Sequence, residues 1–325
     1  MSLLSFGELT EEEKLEKFME RINGGKKIEA DDWMPDDYRE QLIRLISMHG
    51  ISEIMGALPE KEWVPKAPTL RRKLAIMSKV QDEMGHGQLL LRVTEDLLRP
   101  SGKKREDIMD DLLTGRLKFH NVFHMPAPTW ADAGVIAWLV DGAAIISQTM
   151  MLNTSYAPYG RALKRICAEE VFHAQHGEAI IMELAEGTTK QRKMLQDSIN
   201  RWWESMLMFF GPDSKKRTGS SNQNKNIVYK LRTKSNEELR QDFLTKYIPR
   251  VWSLGLTIPD ETLHYDESEG KWIYQQPDWD KFKQVVSNNG PKSKERLRLR
   301  EIAHESNAWV REALGQKQTL QKGTV

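Results

Sequence analysis

Two Glu-x-x-His motifs, each with a single carboxylate about thirty residues upstream, give this sequence the donor atoms of a metal site. The lone carboxylate stands 30 residues before the first motif (53 to 83) and 29 before the second (141 to 170). The residues concerned are Glu53, Glu83, His86, Asp141, Glu170 and His173. Three residues make nearly one helical turn, so the Glu and His of each motif project from one helix face. Two such sets are the ligands of a di-iron or di-manganese site inside a four-helix bundle.

The doubled arrangement, and not the motif alone, carries this prediction. Four of the eight histidines have Glu three residues before them, so the spacing by itself is weak evidence. The pair Glu261/His264 lies in a Pro- and Asp-rich stretch that predicts a loop. The pair Glu301/His304 has no carboxylate at 270–272, where an upstream partner would stand. We interpret both pairs as surface pairs. The six residues of the doubled set could also be ordinary core or surface polar groups, but burying them without a cation would be costly.

Other polar residues flank the motifs. Asp82 and Glu169 each precede a motif glutamate, and metal-bound imidazoles usually donate their second N–H to a carboxylate. We therefore expect these two carboxylates to accept bonds from the ligand histidines. Lys79 lies one turn before the first motif, where it would pair with a ligand carboxylate or extend to solvent. His49 precedes the first lone carboxylate by one turn, and we expect a hydrogen-bonded core histidine there rather than a ligand.

Helices must aim these side chains at one point, and apolar residues at helical spacing predict them. The predicted helices are 35–57, 69–98, 106–117, 130–153, the segment after the turn 158–160 up to about 186, 190–210, 236–251 and 296–314. Pro59 is expected to close the first of these. Residues 213–226 predict a surface loop, and residues 258–280 predict a small hairpin or an extended wrap. Neither a βαβ alternation nor a Gly-x-Gly-x-x-Gly motif after a strand is visible, which argues against a dinucleotide or flavin domain.

The sequence thus predicts an all-α protein with three parts. Residues 1–30 would form an N-terminal arm, residues 31–211 the bundle with the metal site, and residues 212–325 a C-terminal extension packed on the bundle. The net charge of +1 over 325 residues gives no reason to expect nucleic acid as a partner.

Cysteine content and hydropathy predict a cytoplasmic protein. Cys167 is the only cysteine of the sequence, which excludes an internal disulfide and a cysteine-ligated iron–sulfur cluster of its own. The N-terminal sequence lacks the basic start and apolar core of a signal peptide. Residues 134–152 are almost long enough for a membrane span, but Asp141 lies near their middle, where an unpaired carboxylate would be costly in a bilayer. A helix that is apolar all round also suits the centre of a bundle, so we expect no membrane insertion.

Long segments carry a family resemblance. They are DDWMPDDYR (31–39), APTLRRK (67–73), KVQDEMGHG (79–87), WADAGVIAWLVDGAA (130–144), FGP (210–212) and WVREAL (309–314). Over this nearly complete length the chain resembles the catalytic alpha subunits of ring-1,2-phenylacetyl-CoA epoxidases, which are bacterial multicomponent monooxygenases. The resemblance implies a ferritin-like four-helix bundle with additional helices. It also implies oxygen-dependent epoxidation of the aromatic ring of phenylacetyl-CoA in phenylacetate degradation.

The same resemblance implies cofactors and partners. A di-iron centre would lie on the six residues named above, with Glu83, Asp141 and Glu170 serving catalysis. The partners would be a ferritin-like structural subunit, a small accessory subunit, and a separate reductase that carries FAD and [2Fe-2S] and takes electrons from NADPH. Contacts to the CoA moiety would fall on Arg44, Lys118, Phe119, His120, Asn121, Ser220, Ser221, Asn222, and Lys230 or Arg232. Basic and amide groups suit phosphate and pantetheine, although each could equally be a solvated surface group. Met48 stands where a polar contact would be expected.

Other classes of protein share the bundle. The non-catalytic structural subunit of the same complex is the first alternative, but a scaffold has no need of six buried ligands. An iron-storage protein needs only the bundle, whereas this chain adds over a hundred residues after Phe210. A radical-generating ribonucleotide reductase subunit would need a tyrosine beside the metals. We expect Tyr156 and Tyr159, at a helix end, to lie too far along the chain for that role.

Overall fold

The computed structural model describes residues 9–213 and 222–314, with the backbone alone for residues 222–224. Within these ranges the chain is mostly helical, which confirms the all-α prediction. The helices are α1 (Glu11–Asn23), α2 (Asp36–Lys61), α3 (Leu70–Leu98), α4 (Arg105–Leu113), α5 (Trp130–Val135), α6 (Asp141–Thr149), α7 (Ala157–Ala185), α8 (Thr189–Phe209), α9 (Asn222–Val228), α10 (Asn236–Ser253), α11 (Trp279–Gln284) and α12 (Ser293–Ser306). A small antiparallel hairpin of β1 (His264–Asp266) and β2 (Lys271–Ile273) places Tyr265 opposite Trp272, within the segment for which a hairpin or a wrap was expected.

Hydroxyl side chains fix where several helices begin. The side chain of Thr69 accepts a bond from the backbone N–H of Arg72 at 3.2 Å, at the start of α3. Thr188 and Ser235 cap α8 and α10 in the same way. Such caps satisfy backbone N–H groups that have no partner within the helix. The cap on α3 therefore fixes the start of the helix that carries the first motif.

Several helix boundaries differ from the sequence prediction. α2 does not end at Pro59 but continues to Lys61, with the proline inside its last turns. Pro158 lies in the first turn of α7, where a missing N–H removes no helical bond, so the helix already begins before the predicted turn. Part of the loop predicted for residues 213–226 is instead helical, because α9 begins at Asn222.

The pair α2 and α3 packs closely beside the site. A Cβ atom on Gly87 would lie 2.5 Å from Ile54 Cγ1 and 2.9 Å from the carbonyl oxygen of Gly50, so only glycine permits this approach. Gly87 follows one expected ligand, His86, and Ile54 follows another, Glu53. The contact therefore helps to set the distance between the two helices that carry them.

α5, a π-helical turn (Ile136–Val140) and α6 form one continuous helix, Trp130–Thr149, which ends before the predicted residue 153. In the part of the chain that the structure describes, it is the one helix long and apolar enough to cross a membrane. However, 72% of its most apolar window is buried inside the structure. That burial is typical of the core helix of a helical bundle, where apolar residues surround the helix on all sides.

The segments outside the bundle helices also pack on them. Phe18 and Ile22 of α1 are buried against the N-terminal part of α2 and the start of α7. Tyr247 of α10 packs on α6, so closely that a Cβ atom on Gly142 would overlap its hydroxyl oxygen at 1.8 Å. α10 thus braces the helix that carries Asp141. The division into arm, bundle and extension stays a prediction.

Candidate metal centre

All six expected ligands are buried at one place between α2, α3, α6 and α7. Their exposed fractions run from 2% at His86 and Glu170 to 8% at Glu53. Their donor atoms form two groups of four, and within each group all atoms lie within 4.8 Å of one another. The groups are Glu53, Glu83, His86 and Glu170, and Glu83, Asp141, Glu170 and His173. Because Glu83 and Glu170 belong to both, the arrangement fits two metal positions that share two carboxylates.

The helices deliver these side chains in matching ways. Each Glu-x-x-His motif supplies two donors from one turn, on α3 and on α7. Glu53 comes from the middle of α2. Asp141 directly follows the π-helical turn, a feature that often marks functional sites. A Cβ atom on Gly177 of α7 would lie 2.4 Å from the backbone of Ala137, so glycine lets the π-helical turn fit against α7.

The two imidazoles are held by crossed hydrogen bonds. His86 Nε2 lies 2.8 Å from Glu169 Oε2, and His173 Nε2 lies 3.2 Å from Asp82 Oδ2. The acid beside each motif therefore contacts the histidine of the other motif. The Nδ1 atoms face the cluster. His86 Nδ1 lies 3.3 Å from Glu170 Oε1, and His173 Nδ1 lies 3.2 Å from Glu170 Oε2. This geometry leaves Nδ1 of each ring for a metal ion, with Nε2–H held by a carboxylate.

Lys79 is buried at the cluster. Of the two expected arrangements, the structure shows the one in which Lys79 pairs with a ligand carboxylate and not the one in which it extends to solvent. Its Nζ atom lies 2.7 Å from Glu60 Oε2, 2.6 Å from Glu83 Oε1 and 3.1 Å from Asp141 Oδ2. Sequence reasoning missed Glu60, which is 1% exposed. A signal for it existed, because Glu60 follows Glu53 by seven residues, which is two turns along the same face of α2.

The charges of the cluster fit a cation site. Burial raises the pKa of Asp141 well above its usual range. Burial alone would lower the pKa of Lys79, but attraction to Asp141 and the other carboxylates outweighs it and raises that pKa. Burial would likewise lower the pKa values of His86 and His173, yet hydrogen bonds led by those to Glu170 raise both to about 11. The carboxylates thus stabilise the protonated forms of Lys79, His86 and His173. His86 Nδ1 is turned toward the carboxylate oxygens of Glu170, at 3.3 Å, and Glu53, at 3.7 Å, as a metal-ligating nitrogen would be.

A polar network surrounds Glu53. His49 Nε2 lies 2.8 Å from Glu53 Oε1, so this histidine contacts an expected ligand and stands outside both four-residue groups. Gln148 Nε2 lies 3.4 Å from the same oxygen. The hydroxyl of Tyr159 lies 2.9 Å from His49 Nδ1. The expectation that both tyrosines at this helix end lie far from the site was therefore wrong for Tyr159, which a single imidazole separates from Glu53.

A cavity of about 450 Å³ adjoins the cluster. Its lining includes four of the expected ligands, namely Glu53, Glu83, Asp141 and Glu170. Apolar side chains form much of the remaining wall, among them Leu45, Met48, Val140, Ala144 and Phe210. A cavity of this size, mostly apolar with a few polar groups, suits a small organic molecule held beside the carboxylates.

Half of the residues expected to contact CoA line this cavity. They are Lys118, Phe119, His120, Asn121 and Arg232. Arg232 is mostly buried and its pKa falls to about 10 because of that burial. Its Nη1 donates to Asn236 at 2.6 Å, whereas Nε and Nη2 have no partner among the described residues. Two unpaired donors beside a cavity fit an anionic or carbonyl oxygen.

The other expected CoA contacts lie elsewhere. Arg44 and Lys230 are exposed and lie outside the cavity lining. Of the two alternatives Lys230 and Arg232, only the arginine lines the cavity. Ser220 and Ser221 lie outside the described residues, and Asn222 begins α9 with its side chain outside them. Their expected contacts stay predictions.

Fold and site together define the class. This is an all-α, ferritin-like bundle with a buried carboxylate–histidine cluster of the kind that holds two metal ions. The particular family follows from sequence comparison: the chain belongs to the phenylacetic acid catabolic protein family, whose model matches residues 11–309. It is similar to a subunit of the 1,2-phenylacetyl-CoA epoxidase of Escherichia coli (strain K12), with 46% identity over 310 residues. The match covers 94% of this chain and 98% of that relative, and it confirms the resemblance found in the sequence.

Proposed function

We infer that this chain is the catalytic subunit of a multicomponent di-iron monooxygenase that epoxidises the aromatic ring of phenylacetyl-CoA. The observation that carries this function is the doubled ligand cluster opening on a mostly apolar cavity. The chain matches, over nearly its full length, a protein that is named for the epoxidation of phenylacetyl-CoA. We take the substrate from that relative.

The six buried side chains would hold the two irons. Glu53 and His86 would serve one position, Asp141 and His173 the other, and Glu83 and Glu170 would be available to both. When bound, two reduced irons supply electrons and open coordination positions for O2. Carboxylate and imidazole donors suit iron in this role.

The protein's own residues orient and shield the reaction. The aromatic ring would occupy the apolar part of the cavity next to the carboxylates, and Arg232 and Lys118 would hold the CoA portion. Fixing the ring near the reacting centre converts a bimolecular encounter into an oriented one. In the overall reaction, one oxygen atom of O2 bridges two ring carbons. The other leaves as water, which consumes two protons and two electrons.

The two electrons that the reaction consumes must come from partner proteins. The relative is named as one subunit of an epoxidase, which suits a chain that works within a complex. The partners we propose are a ferritin-like structural subunit, a small accessory subunit, and a reductase that passes electrons from NADPH through FAD and [2Fe-2S]. Such a system belongs in the cytoplasm, where NADPH and CoA esters are found.

Iron content and single-turnover oxidation test this function. The chain, purified with its structural partner, should bind about two irons and convert phenylacetyl-CoA to the epoxide after chemical reduction. Glu170→Gln should abolish turnover, whereas Glu178→Gln, an exposed glutamate on the same helix, should not. Retained turnover in the Glu170 variant would contradict the assignment.

The non-catalytic structural subunit of the same complex is not favoured, because this chain keeps every expected ligand buried in one cluster. That alternative would be supported if reconstituted protein bound no iron. Bound iron without oxidation of phenylacetyl-CoA would instead leave the metal site in place and reopen the question of the substrate.

A further inference from the structure

The two oxygens of Glu53 have different partners. Oε1 faces His49 Nε2 at 2.8 Å and Gln148 Nε2 at 3.4 Å. Oε2 is the oxygen that faces His86 Nδ1, at 3.7 Å. One oxygen is thus turned toward the proposed metal position and the other toward the side chains of His49 and Gln148. The side chains of this network come from α2 and from the end of α6.

Tyr159 determines which nitrogen of His49 carries the proton. Its hydroxyl lies 2.9 Å from His49 Nδ1, and its other neighbour, Met151 Sδ at 3.9 Å, is a weak acceptor. A hydroxyl that donates to Nδ1 places the imidazole proton on Nε2. That N–H then donates to Glu53 Oε1. Tyr159 is 0% exposed and lines the cavity beside the cluster.

Gln148 is oriented by a similar contact. Cys167 Sγ lies 3.7 Å from Gln148 Oε1, which makes the amide oxygen an acceptor and turns the amide nitrogen toward His49 Nε2, at 3.1 Å, and Glu53 Oε1, at 3.4 Å. Two N–H donors therefore converge on one carboxylate oxygen. With Oε1 occupied in this way, a metal ion is left with Oε2.

We propose that Tyr159, acting through His49, is a positioning residue that holds Glu53 as a one-oxygen ligand of the Glu53/His86 metal position. The role rests on the metal site of the proposed function and adds to it a residue that touches no ligand directly. It concerns one metal position only, because Asp141, the corresponding carboxylate of the other position, contacts Lys79 instead.

Loss of the hydroxyl should act at one metal position. In Tyr159→Phe, His49 is free to carry its proton on Nδ1, which would turn the lone pair of Nε2 against Glu53 Oε1. Glu53 would then rotate or bind through both oxygens. Loss of a partner that orients a ligand typically lowers metal affinity by about 10–100-fold. One of the two stepwise metal-binding constants should therefore fall, and the other should stay unchanged.

Cobalt(II) titration followed by visible absorption tests this without turnover. Tyr156→Phe is the matched control, because Tyr156 is also fully buried and its hydroxyl has no partner among the described residues. Tyr159→Phe should weaken one of the two stepwise cobalt-binding constants by about 10–100-fold and alter the absorption of that cobalt. Tyr156→Phe should leave both constants and the spectrum as in the wild type.

A double-mutant cycle shows whether Tyr159 acts through His49. In a His49→Phe background, Tyr159→Phe should cause no further loss of affinity, since residues of one network are not additive. Full additivity, equal weakening of both constants, or a Tyr159→Phe protein identical to the control would each overturn the positioning role. If wild-type protein bound no cobalt, the metal site and this role would fail together. Two cobalt ions with an unaffected Tyr159→Phe protein would overturn this role alone.

Discussion

Replacing Lys79 by methionine should destabilise the metal-free protein and leave the metal-loaded protein much less affected. Methionine keeps the apolar stem of lysine at similar volume but removes an ammonium that contacts three carboxylates. These are Glu60 at 2.7 Å, Glu83 at 2.6 Å and Asp141 at 3.1 Å. The lysine and its three partners are at most 8% exposed, so water cannot take its place.

The size of the effect follows from this burial. Removing one partner of a buried ion pair costs about 3–5 kcal/mol, because the remaining charge is left uncompensated. Three carboxylates lose a donor here, but the raised pKa of Asp141 lets that group take up a proton and relieve part of the loss. We therefore expect the free energy of unfolding to fall by about 3 kcal/mol in the metal-free protein. Two divalent ions bring positive charge to the same oxygens, so saturating cobalt(II) should remove most of this deficit.

Urea unfolding followed by circular dichroism, with EDTA or with cobalt(II), measures both numbers. Lys193→Met is the control, because Lys193 is 75% exposed and pairs with Asp197 at the surface. The control should change stability by less than about 0.5 kcal/mol under either condition. A metal-free Lys79→Met protein as stable as the control would contradict the expected loss of an ion pair. A deficit of equal size with and without cobalt would contradict the compensation by metal.

Three further perturbations test the packing, the titration and the metal bridge. Gly87→Ala, whose Cβ would meet Ile54 at 2.5 Å, should destabilise by about 1–3 kcal/mol in urea unfolding. Gly85→Ala, with no neighbour within 4 Å, should stabilise by up to about 1 kcal/mol. Burial lowers the pKa of His124 from 6.5 to about 4. As the pH falls, His124 therefore takes up a proton in the unfolded protein before it does so in the folded protein. The free energy of unfolding should fall by up to about 3 kcal/mol between pH 6.5 and 4. His124→Gln should flatten that fall in pH-dependent unfolding. Glu83→Gln removes a shared ligand and should reduce bound metal, measured by elemental analysis, to at most one ion per chain with an unchanged circular dichroism spectrum.

The helices and the ligand cluster were predictable because both depend on short-range spacing. Three residues within a motif define a helix face, and about thirty residues between a lone carboxylate and a motif allow one helix to end and the next to return. The same spacing would have found two residues that were missed. Glu60 follows Glu53 by seven residues and Gln148 follows Asp141 by seven, so each lies two turns along a ligand face.

The remaining contacts could not be predicted, because they join residues far apart in the sequence. Tyr159 reaches His49 across 110 residues, through the first turn of α7. The crossed bond from His173 to Asp82 spans 91 residues. The usual surroundings of metal-bound imidazoles predicted that each histidine would contact a carboxylate. Only the packing of α3 against α7 determines that the acid beside each motif contacts the histidine of the other motif.

The repeated chemistry of the sequence would therefore produce two metal positions that are not equivalent. The histidines keep equivalent partners, but the lone carboxylates do not. Asp141 lies beside the ammonium of Lys79, whereas Glu53 lies beside N–H groups of His49 and Gln148. A positive charge lowers the electron density that a carboxylate offers to a metal ion, so the two positions should differ in affinity and in potential. Epoxidation sends one oxygen atom to the ring and the other to water. The two oxygen atoms thus have different fates, and the two positions differ as well, through the residues that contact Asp141 and Glu53.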